Sequence, residues 1–305
     1  MTDCPNPPLI TILGPTASGK TNLAVHIAEQ LTAEIISADS RQVYNDMDLG
    51  TGKDLAEYGR VPYHLINVIE PNEEYSLFNF SQDFSRAFND ITLRNATPLL
   101  VGGTGMYLDS VLSRYKLTIA NIDKNTREQL EKKSEVELAH ILQQLKPDQH
   151  NTSDISDKKR MIRAIEITYA EQTDADEVKW PEFRPLTLGI HISRPLLKER
   201  IKARLKDRFQ LGMIEEVERL QNKGVSNERI DSFGLEYRFI LKFLTGELNY
   251  NDMFQKLHAA IYKFSKQQEK WFRNIEKKGS KIIWLDANDN IRQKSLDEIQ
   301  RFLIH

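Results

Sequence analysis

Over the first 115 residues, short apolar runs alternate with stretches whose apolar residues recur every three or four positions. Leu9-Ile-Thr-Ile-Leu13 predicts a buried strand, and Leu23, Ile27 and Leu31 predict a helix from about Gly19 to Leu31. Ala33-Glu-Ile-Ile-Ser-Ala-Asp39 predicts a second strand ending in a polar turn, and Tyr63 to Ile69 a third. Phe80, Phe84, Ala87, Phe88 and Ile91 mark a helix over 78–93. Pro98-Leu-Leu-Val-Gly-Gly-Thr-Gly105 then reads as a strand entering a glycine-rich turn, with a helix from about Met106. Strands alternating with helices predict a parallel sheet with crossover helices. Ligands of such a sheet gather at the carboxyl ends of its strands.

The pattern changes after residue 115. Residues 118–150 are charged and helix-periodic, with no strand signal. Residues 151–157 read as a turn, Arg160 to Ile167 as an amphipathic helix, and Thr173 to Pro185 as an acidic loop. Leu186 to Ile192 returns to a strand. Residues 195–275 are helical almost throughout, with breaks near Gly224 and Gly234, and Lys281 to Leu285 is a last strand before a terminal helix. The expected architecture is α/β: a parallel sheet core flanked by helices, built from 1–115 and 186–305, with a mainly helical insertion over 116–185.

Composition narrows the function classes. Hydrophobic residues at 40% and charged residues at 28% suit a globular domain with a real core. One cysteine, Cys4, excludes a disulfide framework and a Cys-rich zinc site, and seven scattered histidines lack metal-ligand spacing. No stretch is long and apolar enough to span a bilayer, and the N-terminus is no signal peptide, so a cytoplasmic location is expected. A net charge of −2 argues against a uniformly basic protein but leaves room for local basic patches.

The strongest chemical signal is Gly14-Pro-Thr-Ala-Ser-Gly-Lys-Thr21, a complete G-x-x-x-x-G-K-T loop between strand and helix. Gly14, Thr16, Ala17, Ser18, Gly19 and Lys20 are the expected phosphate cradle, with the Thr21 hydroxyl as Mg²⁺ ligand. Asp39 stands past the second strand, either as a general base or Mg²⁺-linked carboxylate, or as a cap of the following turn. The later strand ends in glycines and Thr104, without the aspartate of NTPases that grip Mg²⁺ there. Thr104 could reach a phosphate oxygen, or the segment could be a plain turn. Arg200, Arg204 and Arg208 share one helical face, suited to phosphate contact or to a solvated charged surface. Lys263, Lys266, Lys270 and Arg273 lie among Phe264, Trp271 and Phe272, as in an RNA-binding helix or a core stripe with a wet basic face.

Taken in order, Gly14–Thr21, Ser37-Ala-Asp-Ser-Arg-Gln-Val-Tyr44, Gly50-Thr-Gly-Lys53, Val101–Leu108, Arg160–Glu166, the arginine helix and Gln268-x-x-Trp-Phe-Arg273 resemble the tRNA dimethylallyltransferase family. The resemblance implies transfer of a dimethylallyl group from its diphosphate to N6 of the adenosine beside the anticodon of a tRNA. It implies that Asp39 is the base, that Thr104 and Arg204 are catalytic, and that Arg200 assists the diphosphate loop. It further implies tRNA contacts at Ser40, Gln42, Arg160, Arg163, Lys266, Gln268 and Arg273, Mg²⁺ as cofactor, and a monomer. The alternatives are an adenylate isopentenyltransferase, a small-molecule kinase, or an inactive RNA-binding relative. Departures from the pattern are Asp54 where proline is expected, Arg208 where methionine is usual, Tyr63 where histidine is usual, and Phe233-Gly-Leu-Glu-Tyr237. The tail also departs, with Ile261-Tyr262 for Thr-Arg and Lys266-Gln267-Gln268 for Lys-Arg-Gln.

Overall fold

The computed structural model describes residues 6–118, 124–145, 157–171 and 177–304. Cys4, the predicted turn over 151–156 and the acidic stretch 172–176 lie outside them. The chain divides into a larger unit, residues 1–114 with 180–305, and a smaller one, Tyr115–Lys179.

The larger unit is built on six parallel strands: β1 (Pro8–Leu13), β2 (Ala33–Ala38), β3 (Tyr63–His64), β4 (Thr97–Gly102), β5 (Arg184–His191) and β6 (Ile282–Asp286). Their order across the sheet is β3-β2-β4-β1-β5-β6. The chain runs outward from β1 to β2 and β3, returns to β4, then crosses to β5. That reversal leaves a crevice over the carboxyl ends of β1, β2 and β4, where an open α/β sheet binds its ligand. Continuous burial of β1 and β2 explains why neither sequence alternates: both faces are covered.

Helix α1 (Lys20–Gln30) covers one face with the C-terminal α12 (Ile291–Ile304). Helices α2 (Leu77–Leu93) and α3 (Gly105–Leu112) cover the other; there Phe80, Phe84 and Phe88 form an aromatic core with Tyr107 stacked at 3.9 Å on Phe80. The third predicted strand, Tyr63 to Ile69, shrinks to two residues. Leu65 and Asn67 take left-handed backbone angles (φ 61° and 56°), which end the strand, and Ile69 rejoins only as a bridge to Tyr44.

In the smaller unit, α4 (Lys124–Glu131), α5 (Glu135–Leu145) and α6 (Lys158–Glu171) bury Leu130, Leu138, Leu142, Met161, Ile162 and Ile165 in a core of their own. The unit ends at 179 because Trp180 and Phe183 pack against Phe84 and Phe88 of the larger unit.

The long helical stretch resolves into α7 (Arg194–Gln210), α8 (Met213–Asn222), α9 (Asn227–Ser232), α10 (Leu235–Leu244) and α11 (Tyr250–Lys277). Breaks occur near Gly224 and Gly234 as expected, and also at Gly212 and around Gly246. These helices share a core with Val43, Tyr44 and Met47. Along α11 the buried positions Met253, Leu257, Ile261, Ser265, Gln268, Phe272 and Ile275 keep helical spacing, so Phe272 is core while Phe264 and Trp271 remain exposed.

Candidate active site

A cavity of about 520 Å³ sits over the sheet crevice. It is lined by Thr16, Lys20 and Thr21 after β1, Asp39 to Gln42 after β2, and Gly102 to Met106 after β4. The remaining walls come from loop 50–52, Arg204 and Arg208 of α7, the segment 232–236, and Ile261, Phe264, Gln268 and Trp271 of α11.

Gly19 precedes α1 in a left-handed conformation (φ 93°), and no side chain caps the helix or puts an acid in its first turn. The first backbone N–H groups are therefore left for an anion, in the field of the helix N-terminus. Lys20 folds back so that Nζ donates to the Pro15 carbonyl at 2.8 Å. Burial, reinforced by the positive charge of Arg204, pulls the Lys20 ammonium down to about 8, with Asp39 opposing the shift.

Not every predicted cradle group faces the ligand. The Thr16 N–H donates to Gln268 Oε1 at 2.8 Å. Ser18 turns its hydroxyl inward, where it is buried without a partner among the described residues, and its N–H donates to Pro15 O. Arg200 does not line the cavity; its Nη1 donates to Ser18 O at 3.2 Å and so braces the loop from behind.

Asp39 follows β2. Its Oδ1 accepts from the Arg41 N–H at 2.9 Å, while Oδ2 has no protein partner among the described residues. Thr104 ties the neighbouring strand ends together: its N–H donates to Ala38 O at 3.2 Å, and its Oγ1 accepts from the Ser40 N–H at 3.1 Å.

Two glutamines predicted to face RNA are buried connectors. Gln42 accepts from Ser37 Oγ at 2.9 Å and donates to Gly52 O at 3.1 Å. Gln268 accepts from Thr16 N as above and donates to Gly103 O at 2.9 Å, joining both glycine-rich turns. A Cβ at Gly103 would meet the Gln268 amide, so a larger residue there would have to displace that bond. Ser40 lines the cavity, whereas Lys266 and Arg273 are exposed on α11 and do not line it. Arg160 and Arg163 belong to α6 of the smaller unit, where Arg163 donates to Glu166 at 3.1 Å.

The loop 48–54 carries features that no motif announced. Glu216, buried in α8, accepts from the N–H groups of Asp48, Leu49 and Gly50 (2.8, 2.8 and 2.9 Å) and from the Tyr237 hydroxyl at 2.8 Å. Lys53 is fully buried and donates to Tyr44 O, Asp48 Oδ1 and Asn67 Oδ1. So fixed, the loop places Gly52 (φ 66°) directly against the guanidinium groups of Arg204 and Arg208, where any Cβ would clash with both. Arg204 Nη2 donates to Gly52 O at 3.2 Å and to Asp54 Oδ2 at 2.6 Å. Glu236, also facing the cavity, has its carboxyl pushed up by burial, with Arg208 opposing. The sequence marked Arg208 by its place on the arginine face and by standing where methionine is usual, and Glu236 only as part of the unusual segment 233–237; Glu216 had no signal.

A P-loop sequence at the head of a parallel sheet, with a carboxylate and arginines converging on the same cavity, defines an α/β scaffold with a candidate anion site. The chain belongs to the IPP transferase family, whose sequence model matches residues 42–275; the Isopentenyl transferase model matches residues 7–59. It is 53% identical over 280 residues to tRNA dimethylallyltransferase 2 of Trichlorobacter lovleyi, covering 92% of either chain. To tRNA dimethylallyltransferase 1 of Hahella chejuensis it is 44% identical, covering 98% of either. The full-length tRNA isopentenylpyrophosphate transferase of Bacillus halodurans superposes with a TM-score of 0.71 at 29% identity, over 97% of this chain and 95% of that one. A eukaryotic dimethylallyltransferase shares the fold, with a TM-score of 0.82 at 24% identity over 97% and 79% of the two chains.

Proposed function

We propose that this protein transfers a dimethylallyl group from dimethylallyl diphosphate to N6 of the adenosine beside the anticodon of tRNA. The observation that carries this reading is the meeting, in one cavity of a family member, of an uncapped P-loop helix, Lys20 and Arg204 with the carboxylate of Asp39. Exposed Phe264 and Trp271 on the same cavity supply flat apolar faces for a base drawn out of its stack.

An adenine amino nitrogen is a weak nucleophile because its lone pair is shared with the ring. The leaving diphosphate must therefore be stabilised as the allylic bond breaks. The N–H groups of the α1 N-terminus, Lys20 and Arg204 hold that charge, and Thr104 fixes the turn beside them. Asp39 takes the N6 proton as the new C–N bond forms, through the oxygen that has no other partner. A site for Mg²⁺ fits these residues: the Thr21 hydroxyl lines the cavity without a protein partner among the described residues, and Mg²⁺ takes most of its other ligands from phosphate and water. Bound there, Mg²⁺ would neutralise part of the diphosphate charge. We further propose that the protein acts as a monomer in the cytoplasm. No helix among the described residues is long and apolar enough to cross a membrane.

Mass spectrometry of nucleosides from unmodified tRNA incubated with the protein, Mg²⁺ and dimethylallyl diphosphate tests the reading. N6-dimethylallyladenosine next to the anticodon is expected. Turnover of AMP with none of tRNA would assign the free-nucleotide reaction instead, and consumption of ATP with no prenyl transfer would end both readings.

A further inference from the structure

Asp54 is where two arginines of α7 converge. Its Oδ2 accepts from Arg204 Nη2 at 2.6 Å and from Arg208 Nη2 at 3.3 Å. Asp54 and Arg208 stand where the sequence resemblance leads us to expect a proline and a methionine. In the folded chain the two residues are neighbours of opposite charge. Asp54 also sits at φ 46° and ψ 47°, a conformation closed to proline, whose ring fixes φ near −65°. The carboxylate that this loop presents meets the Arg208 guanidinium.

Arg208 does more than fill a core slot. It lines the cavity beside Arg204 and Lys20, although its side chain is only 9% exposed. Its Nε is buried and has no hydrogen-bond partner among the described residues, and its bonds to Asp54 leave from Nη2. A buried guanidinium with idle donors is costly unless a ligand uses them. Asp54 does not line the cavity. Two guanidinium groups share one bridging carboxylate, and Glu236, which also faces the cavity, has its carboxyl pushed up by burial. Burial and the neighbouring Arg204 pull Arg208 down to about 10, so it stays protonated at neutral pH. Burial alone would raise the Asp54 carboxyl, but Arg204 and Arg208 outweigh it and hold it below its usual range.

We propose that Arg208 is a second guanidinium contact for the donor's diphosphate, and that Asp54 is the positioning residue that holds Arg204 and Arg208 side by side to face it. The proposal rests on the diphosphate reading of the cavity.

Calorimetric titration of inorganic pyrophosphate with Mg²⁺ into the full chain tests it, with thermal melting as the check on folding. Arg208→Met is expected to weaken pyrophosphate binding by about tenfold or more, the loss of charge-assisted hydrogen bonds. Asp54→Asn is expected to weaken it less, and to raise KM for dimethylallyl diphosphate while leaving KM for tRNA unchanged. In the double variant the two losses add to less than their sum, because Asp54 acts through the guanidinium groups. Wild-type pyrophosphate affinity in a folded Arg208→Met chain overturns the proposal, as does wild-type protein that binds no pyrophosphate. Should Arg208→Met fail to fold, Arg208→Gln keeps a polar group in the slot and is read the same way. Prenyl transfer by the wild type is followed in parallel. Its absence alongside Arg208-dependent pyrophosphate binding removes the functional reading and keeps the clamp; the reverse result removes the clamp alone.

Discussion

At the scale of single residues, the site depends on charges held in unfavourable surroundings. Lys20 is pulled down to about 8 by burial and by Arg204. Its cation is complete below that pH and lost as pH rises through it. Diphosphate needs the cation, so kcat/KM for dimethylallyl diphosphate, which reports the free enzyme, is expected to fall above pH ~8. A bound anion stabilises the ammonium, so kcat should hold to higher pH, and paired pH profiles of the two constants check this. Asp39→Asn keeps the turn bond from Arg41 N–H but removes the base. We expect kcat to fall roughly 10²–10⁴-fold with pyrophosphate binding and melting temperature little changed. Gln268→Ala should instead lower both, since it strips Thr16 N–H and Gly103 O of a buried partner at about 1–3 kcal/mol for each group left unpaired.

At the scale of elements, the loop 48–54 is the decisive piece. Three of its backbone donors end on Glu216 of α8, far later in the chain, while Lys53 ties it to Tyr44, Asp48 and Asn67 close by. Gly52→Ala adds a methyl where both arginines lie and strains a left-handed residue. We expect stability to fall by about 1–2 kcal/mol and kcat/KM by at least about a hundredfold, the scale of losing preorganised charge at the leaving group. Glu216→Ala strips the N–H groups of Asp48, Leu49 and Gly50, the last of them buried, and the buried Tyr237 hydroxyl of their acceptor, and a loss of about 3 kcal/mol in denaturant unfolding is expected.

These elements also mark what sequence could disclose. The strand–loop–helix of the P-loop, Asp39 and the glycine turn at Gly102 were legible because local periodicity and backbone demands write them directly. The third strand was overcalled, since alternation at Tyr63–Ile69 carries no sign that Leu65 and Asn67 turn left-handed. The inward roles of Gln42 and Gln268 were hidden because an amide looks the same whether it meets RNA or a buried carbonyl. Glu216 and Glu236 were invisible for a similar reason: an acid on a helix reads as surface until tertiary packing covers it.

At the scale of the whole molecule, every group that lines the cavity belongs to the larger unit. The smaller unit has its own apolar core. A chain with residues 115–179 replaced by a short Gly-Ser connection is therefore expected to fold cooperatively and to bind pyrophosphate with Mg²⁺ as the full chain does. Calorimetry on the shortened chain checks this, and lost binding would mean that the helical unit supports the anion site.

The bond between the Thr16 N–H and Gln268 spans 252 residues. On a ribosome the P-loop strand emerges early, and the amide that braces its loop follows roughly ten to fifty seconds later at ordinary rates of synthesis. The nascent chain thus carries a phosphate loop that gains its brace from Arg200 with α7 and its bond to Gln268 only when α11 has been made. Competence for chemistry should therefore appear only after α11 has been made.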